Sequence, residues 1–561
     1  MRKIERRAVV CAVLAMLLAA GLAIFVFRWV TDGGSWASSA FNRHLYDNRG
    51  VLSVGSILDR DGDVLSAVED GKRTYYDSET VRKATLHAVG DMQGNIGTGA
   101  LQAFADRLTG YDLLNGAYGA EKGNELYLTI DARYNYEAYQ ALNGHAGTVA
   151  VYNYKTGEIL CMVSGPSYDP LAVPEDIETN ERYEGAYLNR FLSTTAVPGS
   201  VFKTVTLTAA LEQLPDAEMR TWDCQGSVQL GEETIVCSGV HGVQSLSDAF
   251  ANSCNVAFAE MAVELGVDTL KDYTEKAGLT DSYSVSGLPT AKSVFNWQDI
   301  TNGQLGWAGV GQYHDRVNPC ALLVYMGAIA NGGKAAVPYL VEKTVSPLGI
   351  SSIPHVTRKT GALIKPETAE KMTELLTANV EKTYGTSRFP NMELCAKSGT
   401  AEVGADEAPH AWFAGFLQNE EAPYAFVVLV EHGGGGNAVA GNVAGRVLAV
   451  IVNGYEGETE TMTKESKGFL LRTVPQINRW TGISGVGFLL YLGAAALELR
   501  LAADVIAVVF VLIALRTFLS AADLRGKDKE AVTYNLLWGT GALTLLLGAC
   551  VALAIKTRFG L

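Results

Sequence analysis

From residue 8 to residue 27 the chain runs without a single charge, and a helix of that length, rising about 1.5 Å per residue, would cross about 30 Å of hydrocarbon. Arg2, Lys3, Arg6 and Arg7 precede the run with only Glu5 opposing, so the positive-inside rule expects a cytoplasmic N-terminus and an exported chain after it. A cleaved signal peptide competes with this reading, because small residues follow at Ala37, Ser38, Ser39 and Ala40. The apolar run exceeds the roughly 7–15 residues of such a signal, which favours an uncleaved membrane anchor.

Apolar sequence also closes the chain. Residues 480–497 and 531–555 are uncharged and 501–515 is broken only by Asp504, so three further spans are the simplest expectation. They would leave Arg516, Arg525, Lys527 and Lys529 outside, against the positive-inside rule, and a re-entrant hairpin at 480–497 would relieve that conflict. The 561 residues then divide into a cytoplasmic N-terminus and anchor at 1–30, a small spacer at 31–131, a large domain at 132–455, a linker at 456–479 and terminal membrane segments at 480–561. Lys and Arg number 45 against 60 Asp and Glu, a formal net charge of −15, which argues against nucleic acid as a partner.

Within the exported part, short strands and turns run from 28 to about 131, with Asp61-Gly62 suited to a hairpin turn. Asp131 is a fitting N-cap for a helix over 132–142. Strand patterns follow at 147–154 and 158–163, joined by the turn Lys155-Thr156-Gly157. Helical periodicity dominates at 201–211, 247–264 and 319–330, strands return at 393–400, 410–416 and 425–432, and 438–452 reads as a final helix. Sheet at both ends with helices between predicts one α/β or α+β domain whose sheet joins distant parts of the chain. No C-x-x-C or other zinc spacing appears among the eight cysteines, so no metal is expected. Cys224 and Cys237 flank a Gly- and β-rich segment, and a local disulfide and a pair of free buried thiols both remain open.

Three short motifs carry chemistry. Ser200-Val201-Phe202-Lys203 places a hydroxyl where a helix starts and an amine one turn later on the same face. The amine could accept the hydroxyl's proton, and nearby N–H groups could hold a developing oxyanion. Ser253-Cys254-Asn255 falls at a break between two helical stretches, which could aim a hydroxyl and an amide into a cleft. Lys-Ser/Thr-Gly occurs at Lys155, Lys359 and Lys397, but only Lys397-Ser398-Gly399 lies in strand alternation, where an edge strand could lay a lysine and exposed backbone beside a bound peptide.

Taken in order, Ser200-x-x-Lys203, Ser253-x-Asn255 and Lys397-Ser398-Gly399-Thr400 resemble the three active-site motifs of penicillin-binding proteins and serine β-lactamases. Further matches are Tyr152-Asn153-Tyr154-Lys155-Thr156-Gly157-Glu158-Ile159-Leu160, Ser164-Gly165-Pro166-Ser167-Tyr168-Asp169-Pro170, Val310-Gly311-Gln312 and Ala330-Asn331-Gly332-Gly333, while Arg60-Asp61-Gly62 is similar to the start of the class B spacer. The resemblance implies an α/β penicillin-binding transpeptidase domain, a mainly β spacer and transmembrane helices at both ends. It implies a monofunctional D,D-transpeptidase that cross-links peptidoglycan stem peptides, is trapped by β-lactams and needs no cofactor. Ser200 would be the nucleophile, Lys203 its general base, Ser253 a proton relay, Asn255 a holder of the donor amide and Lys397 a source of positive potential. Ser398, Gly399 and Thr400 would line the substrate, with the Ser200 and Thr400 N–H groups as the oxyanion hole. The spacer is too short for a glycosyltransferase domain, so the partner expected to polymerise strands is a membrane glycosyltransferase of the shape, elongation, division and sporulation family. The terminal spans depart from the class B pattern. Two other readings are a D,D-carboxypeptidase and a β-lactam-sensing or weakly catalytic membrane scaffold.

Overall fold

The computed structural model describes residues 2–38, 45, 51–112, 116–117, 123–347, 349–352, 355–404 and 407–454. The chain divides into two compact units at 456/457, and every described residue belongs to the first. The spans expected over 480–561, and the linker before them, lie outside the described residues.

The uncharged N-terminal run is helical, within α1 (Arg2–Ala37). Along residues 13–29, where its side chains are described, Leu14, Leu17, Leu18, Leu22, Ile24 and Phe27 are exposed. Among the described residues no helix is long and apolar enough to cross a membrane. The expected helix is present; the expected span is not shown.

A five-stranded sheet follows, with β1 (Ser56–Leu58), β2 (Val64–Glu69), β3 (Lys72–Tyr75) and β4 (Glu125–Leu128). The carboxylate of buried Asp59 accepts from the Asp61 and Asp63 N–H groups, both at 2.9 Å, and shapes the Asp61-Gly62 turn between β1 and β2. The fifth strand, Val341–Val345, arrives from far along the chain and pairs with β4. The spacer sheet is therefore completed by a segment that the sequence assigned to the large domain, because strand pairing ignores sequence distance.

The second sheet has the order β7 (Leu394–Ala401), β8 (His410–Leu417), β9 (Tyr424–Val430), β5 (Gly147–Asn153) and β6 (Ile159–Gly165), antiparallel throughout. Alternation divides its side chains between two cores. Val149, Val151, Phe413 and Val428 face α2 (Ala132–Leu142) and α8 (Ala440–Asn453), whereas Ala150, Tyr152, Trp412 and Val427 face α6 (Pro319–Ala330). Both faces are covered, which is why these strands are apolar almost without interruption. Asp131 caps α2 as expected, accepting from the Arg133 N–H. The helix α6 is buried along nearly its whole length, in keeping with a sequence that is apolar all round. At one edge of this three-layer domain β7 is the last strand, and the three motifs meet there.

Candidate active site

Ser200 sits in a 3-10 turn, Gly199–Val201, and α3 (Lys203–Gln213) begins only afterwards, so it precedes the helix rather than capping it. Sequence periodicity does not distinguish a tight turn from the first turn of a helix. Gly199 makes the turn possible. Its φ is +55°, and a Cβ there would stand 2.7 Å from the Thr400 carbonyl oxygen, so the backbones carrying Ser200 and Thr400 touch. On the other side the Gly199 N–H donates to the Gly311 carbonyl at 2.8 Å.

Lys203 is fully buried, although lysine is ordinarily a surface residue. Its Nζ lies 3.0 Å from Ser200 Oγ, 2.6 Å from the Ser253 carbonyl, 2.7 Å from Asn255 Oδ1 and 3.2 Å from Ser253 Oγ. The two shortest partners can only accept. A neutral amine has two N–H bonds and one lone pair, so donating to those two turns its lone pair toward the hydroxyls. Burial pushes the Lys203 pKa down to about 7, with the nearby cysteines opposing the shift. The arrangement can therefore take the Ser200 proton near neutral pH.

The Ser253 segment breaks the helical run as expected, between α4 (Leu246–Ala251) and α5 (Asn255–Leu265). Ser253 has φ +53°, a left-handed conformation costly for serine. The Cys254 side chain caps α5 by accepting from the Ala257 N–H. Asn255 is held from behind, its Nδ2 donating to the Val236 carbonyl at 2.9 Å. The Ser253 hydroxyl bridges the two lysines, since Lys397 Nζ is 3.0 Å from it.

Lys397 projects from β7, the edge strand, and is 1% exposed. Burial holds its pKa well below the usual lysine range, and Lys203 adds to the effect. The fixed positive charge expected here is thus weakened until a counter-charge arrives. Gly399 brings β7 close to the nucleophile's turn, because a Cβ there would lie 2.7 Å from the Pro198 carbonyl. The Thr400 hydroxyl accepts from the Gly436 N–H at 3.1 Å. All eight predicted site residues converge, while the decoy lysines stand apart: Lys155 is exposed in the turn between β5 and β6, and Lys359 is exposed before α7 (Pro366–Asn379).

Two supporting residues were missed. The Tyr384 hydroxyl donates to Ser398 Oγ at 2.9 Å and accepts from the Ser398 N–H at 2.7 Å. Asn379 Nδ2 donates to that hydroxyl and to the Ala396 carbonyl. Both lie where α7 runs into a π-helical turn, Val380–Tyr384, and such turns often mark functional sites but leave no periodicity signal. Phe258 and Phe250 lie under the ammonium groups of Lys203 and Lys397. Of the two alternatives left open for Cys224 and Cys237, the structure has the free thiols, and it brings them together with Cys254 and His241, a grouping that no sequence spacing announced.

Residues 147–449 match the model of the penicillin binding protein transpeptidase domain. The chain belongs to this family. The chain is 30% identical over 357 residues to the peptidoglycan D,D-transpeptidase PbpA of Mycolicibacterium smegmatis, covering 59% of this chain and 72% of that protein. It is similar in structure to the D,D-transpeptidase domain of a peptidoglycan glycosyltransferase from Eggerthella lenta, with a TM-score of 0.63 and 27% identity over 72% of this chain and 99% of the other. The penicillin G acyl-enzyme complex of penicillin-binding protein A from M. tuberculosis matches with a TM-score of 0.60 and 26% identity, covering 71% and 99%. The three motifs of this penicillin-binding transpeptidase domain thus come together at the edge strand β7.

Proposed function

We infer that this chain is a peptidoglycan D,D-transpeptidase that works through an acyl-enzyme on Ser200 and is inhibited by β-lactams. The observation that carries the reading is the buried Lys203 amine, 3.0 Å from Ser200 Oγ, with its other close partners able only to accept. The relatives' activity and the penicillin acyl-enzyme of a similar structure support it. Ser200 Oγ attacks the carbonyl of the penultimate D-Ala, and its proton passes to Lys203. The oxyanion of the tetrahedral intermediate is held by the Ser200 and Thr400 N–H groups. Collapse breaks the peptide bond, and the departing D-Ala nitrogen receives a proton through Ser253. An amine of a second stem peptide then attacks the ester, gives up its proton along the same route and frees Ser200.

Asn255 orients the donor amide, and Ser398, Gly399 and Thr400 line the peptide along β7. The terminal carboxylate of the substrate docks at Lys397 and restores its charge. The exposed apolar side chains of α1 support a membrane anchor at 1–30, with 31–131 as a pedestal and the catalytic domain outside the cell. Strand polymerisation falls to a membrane glycosyltransferase partner. Purified full-length chain supplied with nascent glycan strands should form cross-linked dimers and release D-Ala, and Ser200→Ala should form none. D-Ala release without dimers would instead identify a carboxypeptidase, and neither product would favour the scaffold. The same chain should stay with membranes after carbonate extraction; its release would overturn the anchor.

A further inference from the structure

Behind the Ser253 turn the fold gathers four ligand side chains that the acyl-transfer chemistry does not use. Cys224 ends the strand Thr221–Cys224, which pairs with Gly242–Ser245, and His241 immediately precedes that partner. Cys237 follows the hairpin of Ser227–Leu230 and Glu233–Val236. Cys254 is the middle residue of the Ser253-Cys254-Asn255 turn. Their Sγ and imidazole nitrogen atoms all lie within 4.8 Å of one another.

The distances have the scale of a coordination shell. Four ligands placed tetrahedrally around zinc, with sulfur at about 2.3 Å and nitrogen at about 2.05 Å, stand about 3.8 Å apart sulfur to sulfur and about 3.6 Å sulfur to nitrogen. Here Cys237 Sγ is 3.8 Å from Cys254 Sγ and 3.5 Å from His241 Nδ1. A disulfide would need about 2.05 Å. Backbone donors are already aimed at two of the sulfurs: the Asn255 N–H at Cys237 Sγ, 3.2 Å, and the Ala257 N–H at Cys254 Sγ, 3.5 Å. Such bonds favour thiolates. Two thiol-donated contacts would be given up on deprotonation, Cys224 Sγ to the Gly239 carbonyl at 3.6 Å and Cys237 Sγ to Cys254 Sγ.

We propose that Cys224, Cys237, His241 and Cys254 form a structural zinc site that pins the Ser253-Cys254-Asn255 turn to the hairpin over residues 221–245. Three cysteines and a histidine leave no open position on a tetrahedral ion, which is the mark of a structural rather than a catalytic site. Binding would release the thiol protons of the three cysteines to solvent, with His241 ligating as a neutral imidazole. The consequence for acylation is positional. Cys254 is flanked by the two residues that hold Lys203, and Ser253 keeps an unfavourable left-handed φ, so fixing the Cys254 sulfur fixes both neighbours. Cys254 is thereby a positioning residue.

The test begins with metal. Full-length protein purified in detergent without chelator should carry one zinc ion per chain by elemental mass spectrometry. Replacement by Co²⁺ should give the visible absorption of a tetrahedral thiolate site. Cys224→Ser, the ligand farthest along the chain from the Ser253 motif, should lose the metal, whereas Cys224→His should keep it. Acylation by fluorescent penicillin should fall about 100-fold on chelation and return when Zn²⁺ is added back. Absence of stoichiometric metal in the wild type, or a Cys237–Cys254 disulfide found by mass spectrometry, would overturn the proposal. So would acylation that chelation leaves unchanged after the zinc has demonstrably gone. The metal readouts stand even where a variant fails to fold, and they do not depend on the transpeptidase reading.

Discussion

Replacing Lys203 by alanine is expected to slow acylation by penicillin about 10²- to 10⁴-fold, the scale of a lost general base, while the protein remains folded. The amine is the group whose lone pair faces Ser200 Oγ, and Lys397, the other buried lysine, reaches Ser253 Oγ rather than the nucleophile. Its protonation state sets the pH dependence. Burial depresses the Lys203 pKa to about 7, and only the neutral form can accept a proton. Acylation of the wild type should therefore rise as pH increases through about 7 and level off above it, and Lys203→Ala should lose that limb. Stopped-flow acylation across pH checks both. A variant that keeps the limb would move the base elsewhere. Circular dichroism of Lys203→Ala should match the wild type, because the substitution removes a desolvated amine as well as its hydrogen bonds.

The second large effect is expected at a glycine without a functional group. Gly311 has φ +83°, and a Cβ there would fall 2.0 Å from the Gly199 carbonyl oxygen and 2.8 Å from Phe202 Cβ. Gly311→Ala must push the Ser200 turn toward β7, where Gly199 already meets Thr400. Stability should drop by about 2–4 kcal/mol, combining backbone strain with overpacking, and acylation should fall about 100-fold through misplacement of the nucleophile. Gly361→Ala is the control, since a Cβ there meets nothing within 4 Å, and it should change stability by less than about 0.5 kcal/mol. Thermal melts and acylation rates of the two variants separate the cases; equal behaviour would show that the Gly199–Gly311 contact does not fix the turn.

Much of this site was legible because its chemistry is encoded in short motifs whose surroundings have a period. Lys397 could be preferred to Lys155 and Lys359 because alternation at 394–400 marks a strand, and the structure makes it the edge strand β7. The break at Ser253 was legible because two helical runs stop on either side of it. What the sequence hid were contacts whose partners are far apart or share no pattern. Tyr384 reaches Ser398 from a π-helical turn, the spacer sheet borrows Val341–Val345, and the turn holding Ser200 precedes its helix. The ligand cluster escaped for the same reason. Its members follow no C-x-x-C spacing, and only the antiparallel pairing of Thr221–Cys224 with Gly242–Ser245 sets Cys224 beside His241. One of its cysteines, Cys254, stands inside a catalytic motif whose chemistry is carried by its neighbours Ser253 and Asn255.

The central claim is that Ser200 carries the acyl group, and peptide mapping of the penicillin adduct tests it most directly. Full-length protein incubated with penicillin G and digested should yield a single modified peptide, with the penicilloyl mass on Ser200 and none in Ser200→Ala. An adduct on any other residue, or labelling that persists in Ser200→Ala, would contradict the account.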